Sequence, residues 1–249
     1  MSRDNKTALI TGSGQNIGRG IANQLALAGF NIIVNGSRNQ DAAEAAAAEV
    51  RTRGVEALVA MGNVGIKTEA EAVAKAGLDH FGRIDVLVNN AAIRPHEPFL
   101  EMSNDAWQKV IDVDMNAAIW LSKAVLPSMI ENGWGRIISF SGMNAQRGYL
   151  GAAAVSVAKH GVWGLTKALA VEFGSKGITA NIISPGTFPP DNFNSENNAN
   201  FSALLKANPS GRLGRAEDIG AMVAYLCSEN SGFVNGQMLQ INGGVVMQF

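Results

Sequence analysis

The sequence predicts an α/β fold, a doubly wound parallel sheet forming a single domain over residues 1–249. Three observations carry that prediction. Short apolar runs alternate with longer helical periodicities along almost the whole chain. A glycine-rich turn, Thr11-Gly12-Ser13-Gly14-Gln15-Asn16-Ile17-Gly18-Arg19-Gly20, lies between the first apolar run and the first helical repeat. The chain has 249 residues, 47% hydrophobic and 16% charged. Such a length suits one α/β unit of about 200–250 residues with a large core.

Ala8-Leu9-Ile10 reads as a buried strand, and Ile21, Leu25, Leu27 and Ala28 recur at helical spacing until Gly29. A helix N-terminus carries unpaired N–H groups and a partial positive charge, so it suits a phosphate. Glycines in the preceding turn let the backbone approach a pyrophosphate closely. The strand–turn–helix setting is the context this motif requires. Gly12, Gly14, Gln15, Asn16, Ile17 and Gly18 are therefore candidate dinucleotide-binding residues. Asn31–Asn35 is the second strand, followed by Gly36-Ser37-Arg38. In dinucleotide folds an acid near this strand end takes the ribose hydroxyls, whereas an arginine accommodates a 2′-phosphate. No acid is present here, and Ser37 and Arg38 are. The fixed donor fork of arginine suits phosphate, so NADP is expected rather than NAD.

Further along, Gln40–Arg53 and Lys67–Phe81 are predicted helices, and Val55–Met61 and Asp85–Val88 predicted strands. Those strands run into Gly62-Asn63-Val64 and Asn89-Asn90-Ala91-Ala92. Asn104–Glu131 reads as one long helix capped by its own asparagine. Gly135–Ser139 is the fifth strand, Ala152–Gly174 a second long helix and Thr179–Ile183 the sixth strand. Ser184 to Ser210 is polar and asparagine-rich, with Pro189-Pro190 near its start, and reads as a mobile lid over a ligand. Ala216–Cys227 is helical and Met238–Ile241 is the last strand. In such a sheet, ligands sit outside the C-terminal strand ends.

Composition narrows the functional classes. A net charge of −1 gives no electrostatic footprint for nucleic acid or an anionic membrane. Cys227 is the sole cysteine, which excludes an intrachain disulfide and fits a reducing cytosol. Met1 to Lys6 lacks the apolar segment of a signal peptide. No apolar run approaches the roughly 18 residues of a membrane span. The expectation is a cytoplasmic protein that acts on a small molecule and has no metal site.

Several of these motifs together resemble the short-chain dehydrogenase/reductase family in its single-domain form. They are Thr11-Gly12 with Ile17-Gly18, Asn63-Val64, Asn89-Asn90-Ala91-Ala92, Ser184-Pro185-Gly186, Asn235-Gly236-Gln237 and Asn242-Gly243-Gly244. The resemblance covers almost the whole chain. It implies a Rossmann-type fold, a homotetramer, and hydride transfer between a nicotinamide and a small carbonyl or alcohol. It also implies cofactor contacts at Asn63 and Val64 against the adenine, at Asn90 and Ala91, and at Pro185 and Gly186 beside the nicotinamide. Asn16 stands at the family's middle glycine, and asparagine tolerates the left-handed backbone better than most residues.

The catalytic positions depart from the family pattern of Asn, Ser, Tyr and Lys. The family's Y-x-x-x-K corresponds to Val155-Ser156-Val157-Ala158-Lys159, so the lysine is kept and the tyrosine is Val155. The serine corresponds to Gly142, the asparagine to Asp114, and a threonine after the Pro-Gly pair falls on Pro190. A positioned acid contributes about 10²–10⁴-fold to such a reaction, and Val155 has no proton to give. Ser141 is expected to face away from position 142 if the strand continues, because adjacent side chains point to opposite faces. Lys159 is implied to hold the nicotinamide ribose. Tyr149, His96 and Asp114 are the candidate replacement acids and bases, with Arg94, Asn144 and Arg147 at the pocket edge. His80 and His160 read as helix-surface or packing positions. Three functions stay open: a divergent NADP-dependent oxidoreductase with a displaced proton donor, a lyase or hydratase using the same crevice, and a non-catalytic NADP-binding subunit.

Overall fold

The computed structural model describes residues 5–194 and 201–247. Seven strands form one sheet: β1 (Thr7–Ile10), β2 (Asn31–Gly36), β3 (Ala57–Met61), β4 (Val86–Asn89), β5 (Gly135–Phe140), β6 (Ile178–Pro185) and β7 (Met238–Ile241). Their spatial order is β3-β2-β1-β4-β5-β6-β7, and every neighbouring pair is parallel. β1 lies between β2 and β4, with Leu9 level with Ile33 and Leu87. Both faces are covered, which explains why the strands read as unbroken apolar runs. Along β1 the side chains alternate: Ala8 and Ile10 join Ile21, Leu25, Val34 and Ile219 on one face, while Leu9 joins Ile33, Leu87 and Leu121 on the other. The strand order reverses between β1 and β4, which opens a crevice at their C-terminal ends.

The helices are α1 (Asn16–Leu27), α2 (Gln40–Arg51), α3 (Lys67–Phe81), α4 (Asn104–Ile111), α5 (Ala117–Glu131), α6 (Met143–Arg147), α7 (Ala153–Phe173), α8 (Phe201–Lys206) and α9 (Ala216–Leu226). The stretch expected as one helix from Asn104 to Glu131 is α4 and α5 joined by a π-helical turn, Asp112–Asn116. Its cap is Ser103, not Asn104. Ser103 has extended backbone, and its side chain accepts the Ala106 N–H at 3.1 Å. The π-turn adds one residue to a helical repeat and carries Asp114 into the interior. The predicted lid also differs: Ser184 and Pro185 belong to β6, and residues 201–206 form a helix. Its stretch 195–200 lies outside the described residues. Among the described residues, no helix is long and apolar enough to cross a membrane.

Two close approaches set the crevice. A Cβ on Gly18 would collide with the Gly12 carbonyl oxygen and stand 2.7 Å from Asn90 Nδ2. α1 is therefore pressed onto the turn that precedes it. On its other side, Gly20 and Gly220 let α1 and α9 touch; a Cβ on Gly220 would lie 2.8 Å from the Gly20 oxygen. Gly18→Ala is expected to cost about 1–3 kcal/mol in urea denaturation, because the clash is with backbone. Gly164→Ala, on an exposed helical position where a Cβ meets nothing within 4 Å, is expected to stabilise by about 0.5–1 kcal/mol.

Candidate active site

The crevice above β1 is held by a network of short side chains. Thr11 Oγ1 accepts the N–H groups of Asn90 at 3.0 Å and Ala91 at 2.9 Å. Asn90 Nδ2 in turn donates to the oxygens of Thr11 at 2.9 Å and Gly12 at 3.1 Å. The Asn90 side-chain amide is thus engaged in tying the turn after β4 to the turn after β1. Asn35, which the sequence places only within a strand, is a second tie. Its Oδ1 accepts the Gly12 N–H at 3.2 Å, and its Nδ2 donates to Ala60 at 2.9 Å and Gly62 at 3.1 Å. Ser13 Oγ donates to Ile10 at 2.8 Å and accepts the Asn35 N–H at 3.1 Å. A buried asparagine beside a glycine-rich turn is the signal that could have found Asn35.

The turn itself uses positive φ at Gly12 (63°) and Asn16 (51°). Gln15 stands at the N-cap of α1 without a side-chain cap. The Asn16 N–H, the first of α1, instead donates to the carboxylate of Asp191 at 2.9 Å. The helix start therefore already receives an anion, and its donor set fits a phosphate group of a dinucleotide. Gly14 lies against the start of α2, where a Cβ would stand 3.2 Å from the Ala43 nitrogen. Ser37 and Arg38 are exposed just beyond β2, and no hydrogen bond or ion pair holds the Arg38 guanidinium among the described residues. Beyond β3, Asn63 Oδ1 accepts the Gly65 N–H at 3.1 Å, and Val64 is buried.

A cavity of ≈ 500 Å³ opens beside this cradle, with Ile17, Pro185 and Gly186 in its wall. Lys159 and Val155 line it from α7, and Ser141 and Gly142 from the end of β5. Lys159 is buried, and its ammonium lies 3.0 Å from Asp114 Oδ2. Asp114 Oδ1 accepts the Ile93 N–H at 2.8 Å. The Asp114 side chain has no solvent exposure and that of Lys159 only 5%. Burial pushes the Lys159 ammonium below its ordinary value; Asp114 opposes the shift and the nearby Arg94 charge adds to it. Asp114 is absent from the cavity lining. The carboxylate expected to act in the crevice is therefore not in the wall of this cavity but is paired with Lys159, which is.

Ser141 corrects another expectation. The strand ends at Phe140, so strand alternation no longer governs position 141, and buried Ser141 lines the cavity beside Gly142. A Cβ on Gly142 would meet nothing within 4 Å. Tyr149 and His96 also line the cavity, edge to face with ring centroids 5.7 Å apart. Tyr149 is 54% exposed, so this pair forms the outer wall. The Glu97 N–H donates to Gly151 at 2.9 Å and joins their two loops. Arg94 and Asn144 line the cavity, while Arg147 turns away to donate to the Val245 oxygen at 3.3 Å. His80 packs edge-on against Phe81, and His160 Nδ1 meets the Ser156 oxygen at 2.8 Å; neither lines the cavity. Among the described residues, no three His, Cys, Asp or Glu side chains are grouped to hold a metal.

The parallel sheet, its reversal at β1 and the glycine turn into α1 define a Rossmann-type α/β protein. A family model described as enoyl-(acyl carrier protein) reductase matches residues 12–246. A 3-oxoacyl-(acyl-carrier-protein) reductase of Staphylococcus epidermidis is 36% identical over 243 residues, covering 98% of this chain and 100% of the relative. The enzyme of the same description from Synechocystis is 35% identical, covering 97% of each chain. Nodulation protein G of Azospirillum brasilense is 38% identical over 244 residues, covering 98% of this chain and 99% of the relative. The chain belongs to the short-chain dehydrogenase/reductase family.

Removing one partner of the buried pair strands the other. Asp114→Ala is expected to lose about 3–5 kcal/mol of stability by equilibrium denaturation, and adding Lys159→Met to recover most of it. Equal losses in the single and double variants would contradict the pairing. Because the folded-state value of Lys159 is depressed, the unfolded chain binds more protons as pH climbs toward the ordinary lysine range. Stability rises with pH across that window, and Asp114→Asn is expected to steepen the rise in pH-resolved melts.

Proposed function

We propose that this chain is an NADP-dependent oxidoreductase that interconverts a small carbonyl compound and its alcohol, with Lys159 handling the proton. The observation that carries the reading is the buried Lys159–Asp114 pair opening onto a cavity that also contains the nicotinamide-side residues Pro185 and Gly186. The names of the Staphylococcus epidermidis and Synechocystis relatives, both reductases, support the reaction class. Arg38 supports NADP over NAD. We read the chain as a cytoplasmic homotetramer, the assembly the family resemblance implies.

The turn from Gly12 to Gly18 would hold the dinucleotide, with Pro185 and Gly186 beside its nicotinamide, and the group would supply or accept the hydride. During reduction, Lys159 Nζ gives a proton to the substrate oxygen as negative charge develops there. An ammonium shifted downward by burial is a stronger acid than an ordinary lysine, which suits proton donation nearer neutral pH. Asp114 is the positioning residue: it fixes the ammonium and keeps enough of it protonated. Ser141 offers a hydroxyl to the same oxygen. Val155, at the position of the family tyrosine, has no hydroxyl to place between Lys159 and the substrate, so the transfer from Lys159 is direct. Tyr149 and His96 close the outer wall. Among the described residues, no carboxylate lines the cavity and Arg94 does, which supports a substrate carrying a negative group. Val155 also favours a second reading, a subunit that binds NADP without turnover.

A fluorescence titration with NADPH, followed by a panel of small oxo acids and neutral carbonyls, separates the two. Binding with nicotinamide oxidation supports the enzyme, and binding without it supports the subunit. Arg38→Ala is expected to weaken NADPH about 10- to 100-fold while barely changing NADH, as loss of a charge-assisted contact requires. On the second reading, in which the parent has no acting acid, Gly142→Ser with Val155→Tyr is expected to raise carbonyl reduction about 10²- to 10⁴-fold, the usual contribution of a positioned acid. A fall in a native activity instead would mean that the pocket serves other chemistry.

A further inference from the structure

We propose that Asp191 is a built-in competitor for the phosphate position of the dinucleotide site; this rests on the dinucleotide reading above. Its carboxylate accepts the Asn16 N–H at 2.9 Å, and its own N–H donates to Asn16 Oδ1 at 2.9 Å. The two residues are 175 positions apart in the chain, so the contact is a tertiary one. The Asn16 N–H is the first of α1, at the positive end of the helix dipole, where a pyrophosphate oxygen would sit. A carboxylate and a phosphate cannot share that donor, and both are negative. Arg19, on the same helix, is held mainly by its ion pair with Glu49, and the Asp191 charge adds a smaller part to what keeps its guanidinium charged.

Asn16 now has a physical reason to stand where the family has glycine. It is the one non-glycine residue with positive φ among the described residues. Glycine would adopt that backbone at lower cost. Glycine, however, has no side-chain oxygen to accept the Asp191 N–H, as Asn16 Oδ1 does. The segment that delivers Asp191 is stiff: Pro189 and Pro190 fix their own φ, and the Phe193 N–H closes a turn on the Pro190 oxygen at 2.9 Å. Upstream, the Gly214 N–H anchors the Thr187 oxygen at 3.0 Å. Thr187 and Phe188 also wall the 500 Å³ cavity. A dinucleotide that displaces Asp191 therefore pulls on the wall of the substrate cavity, which couples cofactor binding to the space the substrate enters.

NADPH titrations by fluorescence on the intact chain test this, with inorganic pyrophosphate as a competing probe. Asp191→Ala is expected to tighten both NADPH and pyrophosphate about 5- to 10-fold, the effect of freeing one helix N-terminal donor from a charged partner. Asp191→Asn should fall between that variant and the parent. Asn16→Gly, which removes the oxygen that holds Asp191, should also tighten NADPH. Asp191 is exposed, so none of these effects should come with a large change in melting temperature. Unchanged or weaker NADPH binding in Asp191→Ala overturns the proposal alone. Absence of NADPH binding in the parent and in every variant overturns the dinucleotide reading, and the proposal with it.

Discussion

An ammonium in the protein interior costs several kcal/mol unless a counter-charge and hydrogen bonds compensate it. Among the described residues, Lys159 meets that requirement through Asp114, and much of the site depends on the pairing. Three separate pieces of chain must converge to make it. α7 brings the lysine, the π-turn between α4 and α5 brings the carboxylate, and the loop after β4 supplies the Ile93 N–H that holds the second oxygen. Apart from the ammonium, Asp114 Oδ2 has no partner among the described residues. Around them, Val110, Ile111, Ala154 and Ala158 form a small apolar cluster against which Val155 packs. Burial at this place in the fold is what lowers the Lys159 value and makes its ammonium a stronger acid.

The two halves of the site are built differently. The cradle above β1 is made of backbone and of short side chains, Thr11, Ser13, Asn35 and Asn90, whose hydrogen bonds close on one another. Such a network leaves few alternative geometries, as a site for a large and invariant ligand requires. The substrate side is walled by loops, where residues can change without disturbing the sheet. Tyr149, His96, Arg94 and Phe188 all reach the cavity from loops. On the proposed reading, chemistry diverged within the second half while the first kept its form.

Much of the architecture was legible because its signals are local. The α3 and β7 bounds, Lys67–Phe81 and Met238–Ile241, coincide with the pattern in the sequence. Alternation of apolar runs with helical repeats was enough to imply a parallel sheet covered on both faces. What could not be read was set by geometry that leaves no periodic trace. One extra residue in a turn of the Asn104–Glu131 stretch makes the π-turn, and it decides that Asp114 points inward. One residue in the length of β5 decides that Ser141 reaches the cavity. The contact between Asn16 and Asp191 spans most of the chain, and no spacing rule predicts it. The helix at 201–206 was hidden in a composition that favours loops.

The pH dependence of kcat for NADPH-linked carbonyl reduction tests the central claim most directly, measured in the parent, Asp114→Asn and Tyr149→Phe. With Lys159 as the acid, the rate falls as pH rises through a value below the ordinary lysine range. Asp114→Asn, which removes the charge holding the ammonium, should move that fall to lower pH, and Tyr149→Phe should leave it in place. A fall that ignores Asp114→Asn but disappears in Tyr149→Phe would contradict the account and give the proton to the tyrosine.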